Sequence, residues 1–221
     1  MASTHSLPRR GRPPDLRKRQ DILQAATKLF LARGFVGASM EAIAAAAGVS
    51  KLTVYSHFED KERLFQEIVR ARCDAYNAPD GFEAKLSEPL ERVLGEIGRN
   101  FLSLLLADEA LRLNRVMVTE SVRQPRMAEL FYAAGPMRLV ARLADYLRRL
   151  AQRGDLELDD PREAAEQFLS LVKGPIQYRA LLNLQPRTSR AQAGAQVDAA
   201  VKTFLRAFRP RQTSIARLRA R

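Results

Sequence analysis

The sequence has few of the residues that form metal, redox or disulfide sites. It contains one cysteine, two histidines and no tryptophan among its 221 residues. A single cysteine excludes an intrachain disulfide framework, and the shortage of histidine and thiol ligands leaves no transition-metal site. A nucleophilic catalytic set would have to recruit His5 or His57. We therefore expect no catalytic residue, no cofactor and no enzyme activity.

Long apolar runs are also missing. No stretch approaches the roughly 20 residues that a membrane-spanning helix needs, and no apolar segment follows the Arg-rich start as it would in a secretion signal. Leu, Ala and Arg are abundant, whereas β-branched residues do not cluster. This composition favours helices over strands. We expect a cytoplasmic, all-α protein without a membrane partner.

The most informative stretch runs from Ser39 to Lys61, SMEAIAAAAGVSKLTVYSHFEDK. Apolar residues recur at helical spacing from Met40 to Ala47, and Gly48 then allows a sharp turn. Ser50 can cap a second helix, because its hydroxyl accepts a hydrogen bond from a free backbone N–H. The pattern predicts a helix-turn-helix, whose second helix enters the major groove in DNA-binding proteins. A plain helical corner without DNA contact is the alternative.

The second helix of this motif is expected to turn its polar side chains outward, with Ser50 at its start. Phosphate contacts position a protein on DNA, whereas contacts to base edges specify the sequence. Phosphate contacts are expected mainly from Ser39, Lys51, Tyr55 and Lys61. Base-edge contacts are expected from Thr53 and, with it, from Leu52, Ser56 and His57.

Positive charge is concentrated at both ends of the chain. Of the formal net charge of +12, residues 1–20 carry +5 and residues 209–221 carry another +5. Basic tails suit contact with a polyanion, and solvated ends are the alternative. In the N-terminal tail, Arg10-Gly11-Arg12-Pro13 resembles an AT-hook, so we expect Arg9, Arg10 and Arg12 to contact the minor groove. For the C-terminal tail we favour a solvated end.

Residues 22–65, ILQAATKLFLARGFVGASMEAIAAAAGVSKLTVYSHFEDKERLF, resemble the N-terminal domain of TetR-family transcriptional regulators. The resemblance implies a double-stranded DNA operator as partner. One position departs from the family, because many members have Gly where this chain has Leu52. This side chain either touches an apolar base edge such as a thymine methyl or limits how closely the backbone approaches DNA.

Helical patterns continue to the C-terminal tail. NAPDG at residues 77–81 is a break, and Gly135-Pro136 and Gly174-Pro175 are expected to kink long helices. We predict about nine helices, with a three-helix helix-turn-helix domain followed by a larger helical domain for ligand binding and dimerisation. The expected divisions are a basic disordered arm at 1–14, the DNA-binding domain at 15–78, the effector-binding and dimerisation domain at 79–209 and a basic tail at 210–221.

The segment from Phe131 to Gly174, FYAAGPMRLVARLADYLRRLAQRGDLELDDPREAAEQFLSLVKG, looks like the C-terminal domain of the AefR-like branch of the TetR family. This resemblance implies a pocket for a small-molecule effector and a homodimer formed by the last two long helices, expected at about 161–183 and 189–208. Independently of the resemblance, a two-fold dimer would let two small DNA-binding domains read palindromic half-sites.

Aromatic and methionine side chains are the candidates for an apolar effector cavity. Individually, such a residue is more often plain core or part of a dimer interface. Tyr132 and Tyr178 are favoured, because a buried hydroxyl needs a hydrogen-bond partner. The candidate effector-binding residues are Phe101, Met117, Phe131, Tyr132, Met137, Phe168 and Tyr178.

The single cysteine, Cys73, has two interpretations. Arg70 and Arg72 lie close in sequence and would lower the pKa of a nearby thiol, as a redox sensor requires. We favour the alternative, a small half-buried side chain on a helix.

Together these features predict a sequence-specific DNA-binding transcriptional regulator, and specifically a repressor released from a palindromic operator by a small, largely apolar effector. Two alternatives remain. One is an activator or non-inducible regulator of the same fold, and the other is an architectural protein that binds DNA with little sequence preference.

Overall fold

The computed structural model describes residues 14–75, 85–184 and 188–210. The regular elements in these ranges are α-helices, as the composition predicted. Their bounds are α1 Pro14–Gly37, α2 Met40–Ala47, α3 Lys51–His57, α4 Lys61–Asp74, α5 Leu90–Leu106, α6 Asp108–Glu120, α7 Pro125–Ala134, α8 Pro136–Gln152, α9 Pro161–Leu181 and α10 Arg190–Phe208.

One long segment expected from the sequence is two separate helices. Gly135 leaves the helical region with φ −114° and ψ −86°, and Pro136 then begins α8. Proline suits this first position because the N–H that it lacks would have no partner inside the helix. With these two helices counted separately, the described residues contain ten helices, in line with the expected number of about nine.

The chain divides into two compact units, Met1–Ile68 and Val69–Arg221. The division lies inside α4, so this one helix contributes residues to both units. The NAPDG segment and the expected boundary after residue 78 lie outside the described residues. Among the described helices, none is both long and apolar enough to cross a membrane.

The first unit packs α1, α2, α3 and the start of α4 around a small aromatic core. The ring centroids of Phe30, Phe35 and Phe65 lie 5.5 to 5.7 Å from one another. Gly34 leaves the helical conformation with φ 70°, and this turn brings Phe35 into the core. Aromatic pairs in this distance range contribute stability beyond the area that they bury.

The second unit has a larger core formed mainly by α5, α8, α9 and α10. Phe168 on α9 and Phe204 on α10 are almost completely buried, and their ring centroids lie 5.2 Å apart. Gly98 on α5 allows a close helix crossing, because an added Cβ would lie 2.7 Å from a methyl group of Val197. The fold is therefore held by packing between helices that are distant in sequence.

Helix α9 is interrupted at the predicted kink. Gly174 has φ 46° and ψ −157°, and Pro175 lacks the N–H that would otherwise bond to the carbonyl of Leu171. The side-chain amide of Gln196, on α10, donates to that carbonyl at 2.7 Å instead. A side chain from the neighbouring helix therefore replaces the hydrogen bond that proline removes.

The C-terminal end of α9 also depends on another helix. The Arg115 guanidinium, on α6, donates to the carbonyls of Ala180 and Leu181, each at 2.8 Å. These are among the last carbonyls of a helix, which have no partner within the helix itself. Helix α9 is thus bonded to α10 just before its kink and to α6 at its end.

Candidate nucleic-acid interface

The predicted helix-turn-helix is formed by α2 and α3. Gly48 adopts the left-handed conformation with φ 66° and ψ 32°, and its N–H bonds to the carbonyls of Ala44 and Ala45. Ser50 is the cap of α3, because its hydroxyl accepts a hydrogen bond from the Thr53 N–H at 3.1 Å. The turn and the cap predicted from the sequence are therefore both present.

The two faces of α3 differ as the residue pattern predicted. Val54 and Phe58 are buried in the first unit, with 0% and 3% of their surfaces exposed. On the other face, Leu52 is 79% exposed and Tyr55 is 41% exposed. Because its other face is buried in the first unit, this exposed face of the seven-residue helix is the candidate binding surface.

Lys51 lies at the start of the exposed face and has two neighbours there. Its ammonium forms an ion pair with the Glu41 carboxylate on α2. The same ammonium lies 5.8 Å from the centre of the Tyr55 ring. The hydrogen bond between them lowers the pKa of Glu41 and raises the pKa of Lys51, so both groups are charged at neutral pH. Glu41 was not among the residues predicted for this surface.

The hydroxyl groups of this region bond locally. The Ser50 and Thr53 hydroxyls lie 2.8 Å apart, and the Ser56 hydroxyl donates to the Thr53 carbonyl at 2.8 Å. Ser39 is exposed and caps α2, where its hydroxyl accepts from the Ala42 N–H at 3.1 Å. A hydroxyl has one donor and two acceptor positions, so these contacts leave capacity for DNA at several of them.

His57 does not point outward as the sequence analysis expected. Its side chain is only 12% exposed, and its Nε2 lies 3.1 Å from an Asp15 carboxylate oxygen on α1. This contact joins the last residue of α3 to α1, and helical spacing alone does not show it. His57 is therefore directed toward α1 in the structure, and not toward the exposed face of α3.

Lys61 also has a partner within the first unit. Its ammonium donates to the Phe35 carbonyl at 2.8 Å and lies 4.5 Å from the centre of the Phe35 ring. Burial of the side chain lowers the pKa of Lys61. An ammonium has three N–H donors, so the bond to Phe35 leaves others for a phosphate. The predicted arm residues Arg9, Arg10 and Arg12 lie outside the described residues.

The seven candidate effector residues differ in their burial. Phe168 and Met117 are buried, Phe101 and Phe131 are half-buried, and Met137 is exposed. Tyr132 and Tyr178 are 54% and 66% exposed, so the buried hydroxyls that favoured them are not present in the single chain.

A surface cavity of about 420 Å³ lies elsewhere in the second unit. The cavity is lined by residues of α5, of α10 and of the segment directly after α10. None of the seven candidate effector residues is among them. The lining residues are Glu91, Asp198, Val201, Lys202, Leu205, Arg206 and Arg209. Most of these side chains are charged, which does not suit an apolar effector.

Cys73 lies in the second unit and is half-buried, as we favoured. Burial raises the pKa of its thiol, and the neighbouring Asp74 carboxylate acts in the same direction. A raised pKa reduces the fraction of reactive thiolate, which argues against a redox sensor. In the described part of the chain, no group of three or more His, Cys, Asp or Glu side chains is placed to hold a metal ion.

Two protein families match this chain along most of its length. Residues 22–68 match the bacterial regulatory proteins of the tetR family, and residues 92–210 match the C-terminal domain of AefR-like transcriptional repressors. The first match contains the helix-turn-helix, and the second covers α5 to α10 apart from the first residues of α5.

Individual relatives agree with these families. The structure of the flavonoid-responsive regulator FrrA is 38% identical, covers 88% of this chain and 98% of its own, and superposes with a TM-score of 0.72. The transcriptional repressor BepR of Brucella suis is 43% identical over 65 residues, which are 29% of this chain and 31% of BepR. The transcriptional activator FasR of Mycolicibacterium smegmatis is 40% identical over 67 residues, which are 30% of this chain and 31% of FasR. With its helix-turn-helix in place and both domains matched, the chain belongs to the TetR family of DNA-binding transcriptional regulators.

Proposed function

We propose that this regulator is a repressor that leaves a palindromic operator when a small, largely apolar effector binds its second unit. The observation that carries the DNA-binding half of the proposal is the exposed face of α3, where Leu52 and Tyr55 stand opposite the buried Val54. The match to AefR-like repressors supports repression. Since operator DNA is in the cytoplasm of a bacterium, we place the protein there.

For the DNA contacts, we propose that side chains at helix starts, together with Tyr55, bind phosphates and that other exposed side chains of α3 meet base edges. Ser39, Lys51, Tyr55 and Lys61 would contact phosphates, with Ser50 close by as the cap of α3. Thr53 and Leu52 would contact base edges, followed by Ser56. His57 would contribute only after leaving Asp15, since its ring is directed toward α1.

The proposed assembly is a homodimer formed by α9 and α10. On α10, Ala191, Ala195 and Ala199 are exposed and repeat every four residues, which places them on one face. Small side chains on one face permit a second helix to approach closely. An isologous two-fold contact would then present two copies of α3 to the two halves of a palindrome.

The proposed effector is an aromatic, largely apolar compound. FrrA responds to flavonoids according to its name, and it is similar to this chain over both units. An effector releases DNA only if it binds the DNA-free arrangement more tightly than the DNA-bound one. Helix α4 contributes to both units and is the element through which we propose that this preference is transmitted.

The relatives of this chain include regulators with both directions of control. A repressor and an activator match short stretches of this chain at similar identity, 43% and 40%. An activator of the same fold would also bind a palindrome, and a non-inducible regulator would not respond to ligand. An architectural protein would bind all DNA with similar affinity.

The test is a fluorescence-anisotropy titration of the full chain against duplexes that tile the DNA upstream of its own gene. We expect one duplex to bind at least about 1,000-fold more tightly than a random duplex of equal length. A panel of flavonoids should weaken that binding, and transcription in vitro from the same duplex should rise when they are added. Equal affinity for all duplexes would support the architectural alternative, and transcription that requires the protein would support an activator.

A further inference from the structure

The candidate DNA-binding surface contains one carboxylate that the proposed function does not use. Glu41 lies in the first turn of α2, and its carboxylate contacts the Lys51 ammonium at the start of α3. Both side chains are 57% exposed. The ion pair therefore lies on the solvent side of the helix-turn-helix, on the surface where Leu52 and Tyr55 are exposed.

A carboxylate in this position opposes the binding of a polyanion. Lys51 can contact a phosphate only if its ammonium turns away from Glu41 or shares its donors with both groups. In either case Glu41 remains close to the DNA backbone, where its charge is unfavourable. An exposed ion pair is weak, so DNA can break it, but part of the binding free energy is lost.

We infer that Glu41 is a positioning residue that restrains Lys51 and so weakens the phosphate contact of this side chain with DNA of any sequence. This inference rests on the proposed function, in which Lys51 contacts a phosphate. Phosphate contacts are shared by operator and arbitrary DNA, whereas the base contacts from α3 distinguish the operator. A repulsive group at the phosphate contact therefore weakens both kinds of binding by a similar factor, and a random duplex pool is sufficient to measure its effect.

The experiment compares four forms of the full chain: wild type, E41Q, K51Q and the double variant E41Q/K51Q. Each is titrated by fluorescence anisotropy against a labelled 30-base-pair duplex pool of random sequence, over a series of salt concentrations. We expect E41Q to raise the affinity for the random pool about two- to five-fold at low salt. We also expect its salt dependence to steepen by about 0.9 in the slope of log K against log salt, the contribution of one added phosphate contact.

The double variant separates an effect through Lys51 from an effect of the carboxylate charge alone. If Glu41 acts by restraining Lys51, adding E41Q to K51Q should change the affinity by less than about 1.5-fold, well below its effect in the wild type. An equal gain in both backgrounds would overturn the inference. No gain from E41Q alone would also overturn it.

A matched control removes one carboxylate elsewhere. Glu129 on α7 forms an exposed ion pair with Arg126, at 3.3 Å, within the second unit. E129Q makes the same change in net charge and should leave binding to the random pool unchanged. A gain from E129Q equal to that from E41Q would show a net-charge effect and would contradict the inference. Wild-type protein that binds no duplex at any salt concentration would instead refute the proposed DNA-binding function itself, and this inference with it.

A second readout uses selection from the random pool. Repeated rounds of binding with wild-type protein should enrich a palindromic sequence. E41Q should enrich the same sequence to a similar degree, because the phosphate contact that it alters is common to all sequences. A different enriched sequence with E41Q would count against the inference. Thermal unfolding of both proteins at equal concentration confirms that they are compared in the folded state.

Discussion

The two units complete their helix ends in different ways. In the first unit, Ser39, Ser50 and Asp60 each accept a hydrogen bond from a backbone N–H three residues further along the chain. In the second unit, the interrupted helix α9 is completed by Gln196, which lies 25 residues from its partner Leu171. Arg115 lies 65 and 66 residues from the two carbonyls at the end of α9 that it binds. Local caps also begin α9 and α10 in the second unit, at Asp160 and Ser189, so what distinguishes this unit is the completion of the interrupted helix α9 by side chains from two other helices.

This difference has a consequence for mutation. A local cap contributes to one helix, and its loss is expected to affect little else. A contact between helices supports two elements together, and its loss exposes a buried backbone group as well as loosening the packing. Substitutions at the α9 kink should therefore destabilise the protein more than comparable substitutions in the helix-turn-helix.

The largest effect is expected from Gly174→Ala. Gly174 has φ 46°, and an added Cβ would collide with the Gln196 amide. The left-handed conformation and the displaced hydrogen bond together should lower the free energy of unfolding by about 2–4 kcal/mol. Urea denaturation at fixed protein concentration measures the change. Gln196→Leu is the control, because it removes the hydrogen bond without backbone strain and should account for only part of the loss.

Gly48→Ala is the matched substitution in the first unit and should have a smaller effect. Gly48 has φ 66°, but nothing lies within 4 Å of an added Cβ. Only the strain of a left-handed alanine remains, and it should lower the free energy of unfolding by about 1–2 kcal/mol. The same denaturation experiment applies. If Gly48→Ala destabilised the protein as much as Gly174→Ala, contacts between helices would not be what distinguishes the two sites.

The same contrast explains which features the sequence revealed. The cap Ser50, the turn at Gly48 and the break at Gly174 were all predicted, because each depends on residues a few positions apart. The resemblance to the TetR family also predicted the all-α fold. These signals are local or are concentrated in a dense motif, which is why a single sequence suffices to recognise them.

Other features depend on contacts that no local pattern shows. His57 was expected to face DNA, but its partner Asp15 lies on α1, 42 residues earlier in the chain. The ammonium of Lys61 likewise bonds to the Phe35 carbonyl, 26 residues away. Tyr132 and Tyr178 were favoured as buried hydroxyls and are exposed in the single chain. Gln196 was not singled out at all, since only the folded pair of α9 and α10 brings it to Leu171.

A still smaller loss of stability is expected when a local cap is removed. Ser50→Ala deletes the hydroxyl that accepts from the Thr53 N–H and also contacts the Thr53 hydroxyl. The free energy of unfolding should fall by about 1 kcal/mol. Ser50→Asp is the control, because a carboxylate can also cap the helix, so stability should be retained while DNA affinity falls through added negative charge. Equal losses of stability from both variants would contradict a capping role.

The smallest effect on folding, but a measurable one on DNA, is expected from Lys61→Ala. If the ammonium contacts a phosphate, its loss should weaken binding to operator and random duplexes by the same factor and reduce the salt slope by about 0.9. Lys61→Arg keeps the charge and should keep the slope. Thr53→Val is the contrasting variant, because a base contact should change which sequences are preferred and leave the slope unchanged. An unchanged slope in Lys61→Ala would mean that Lys61 serves only its bond to Phe35, and the local role of this residue would then be structural like that of the caps.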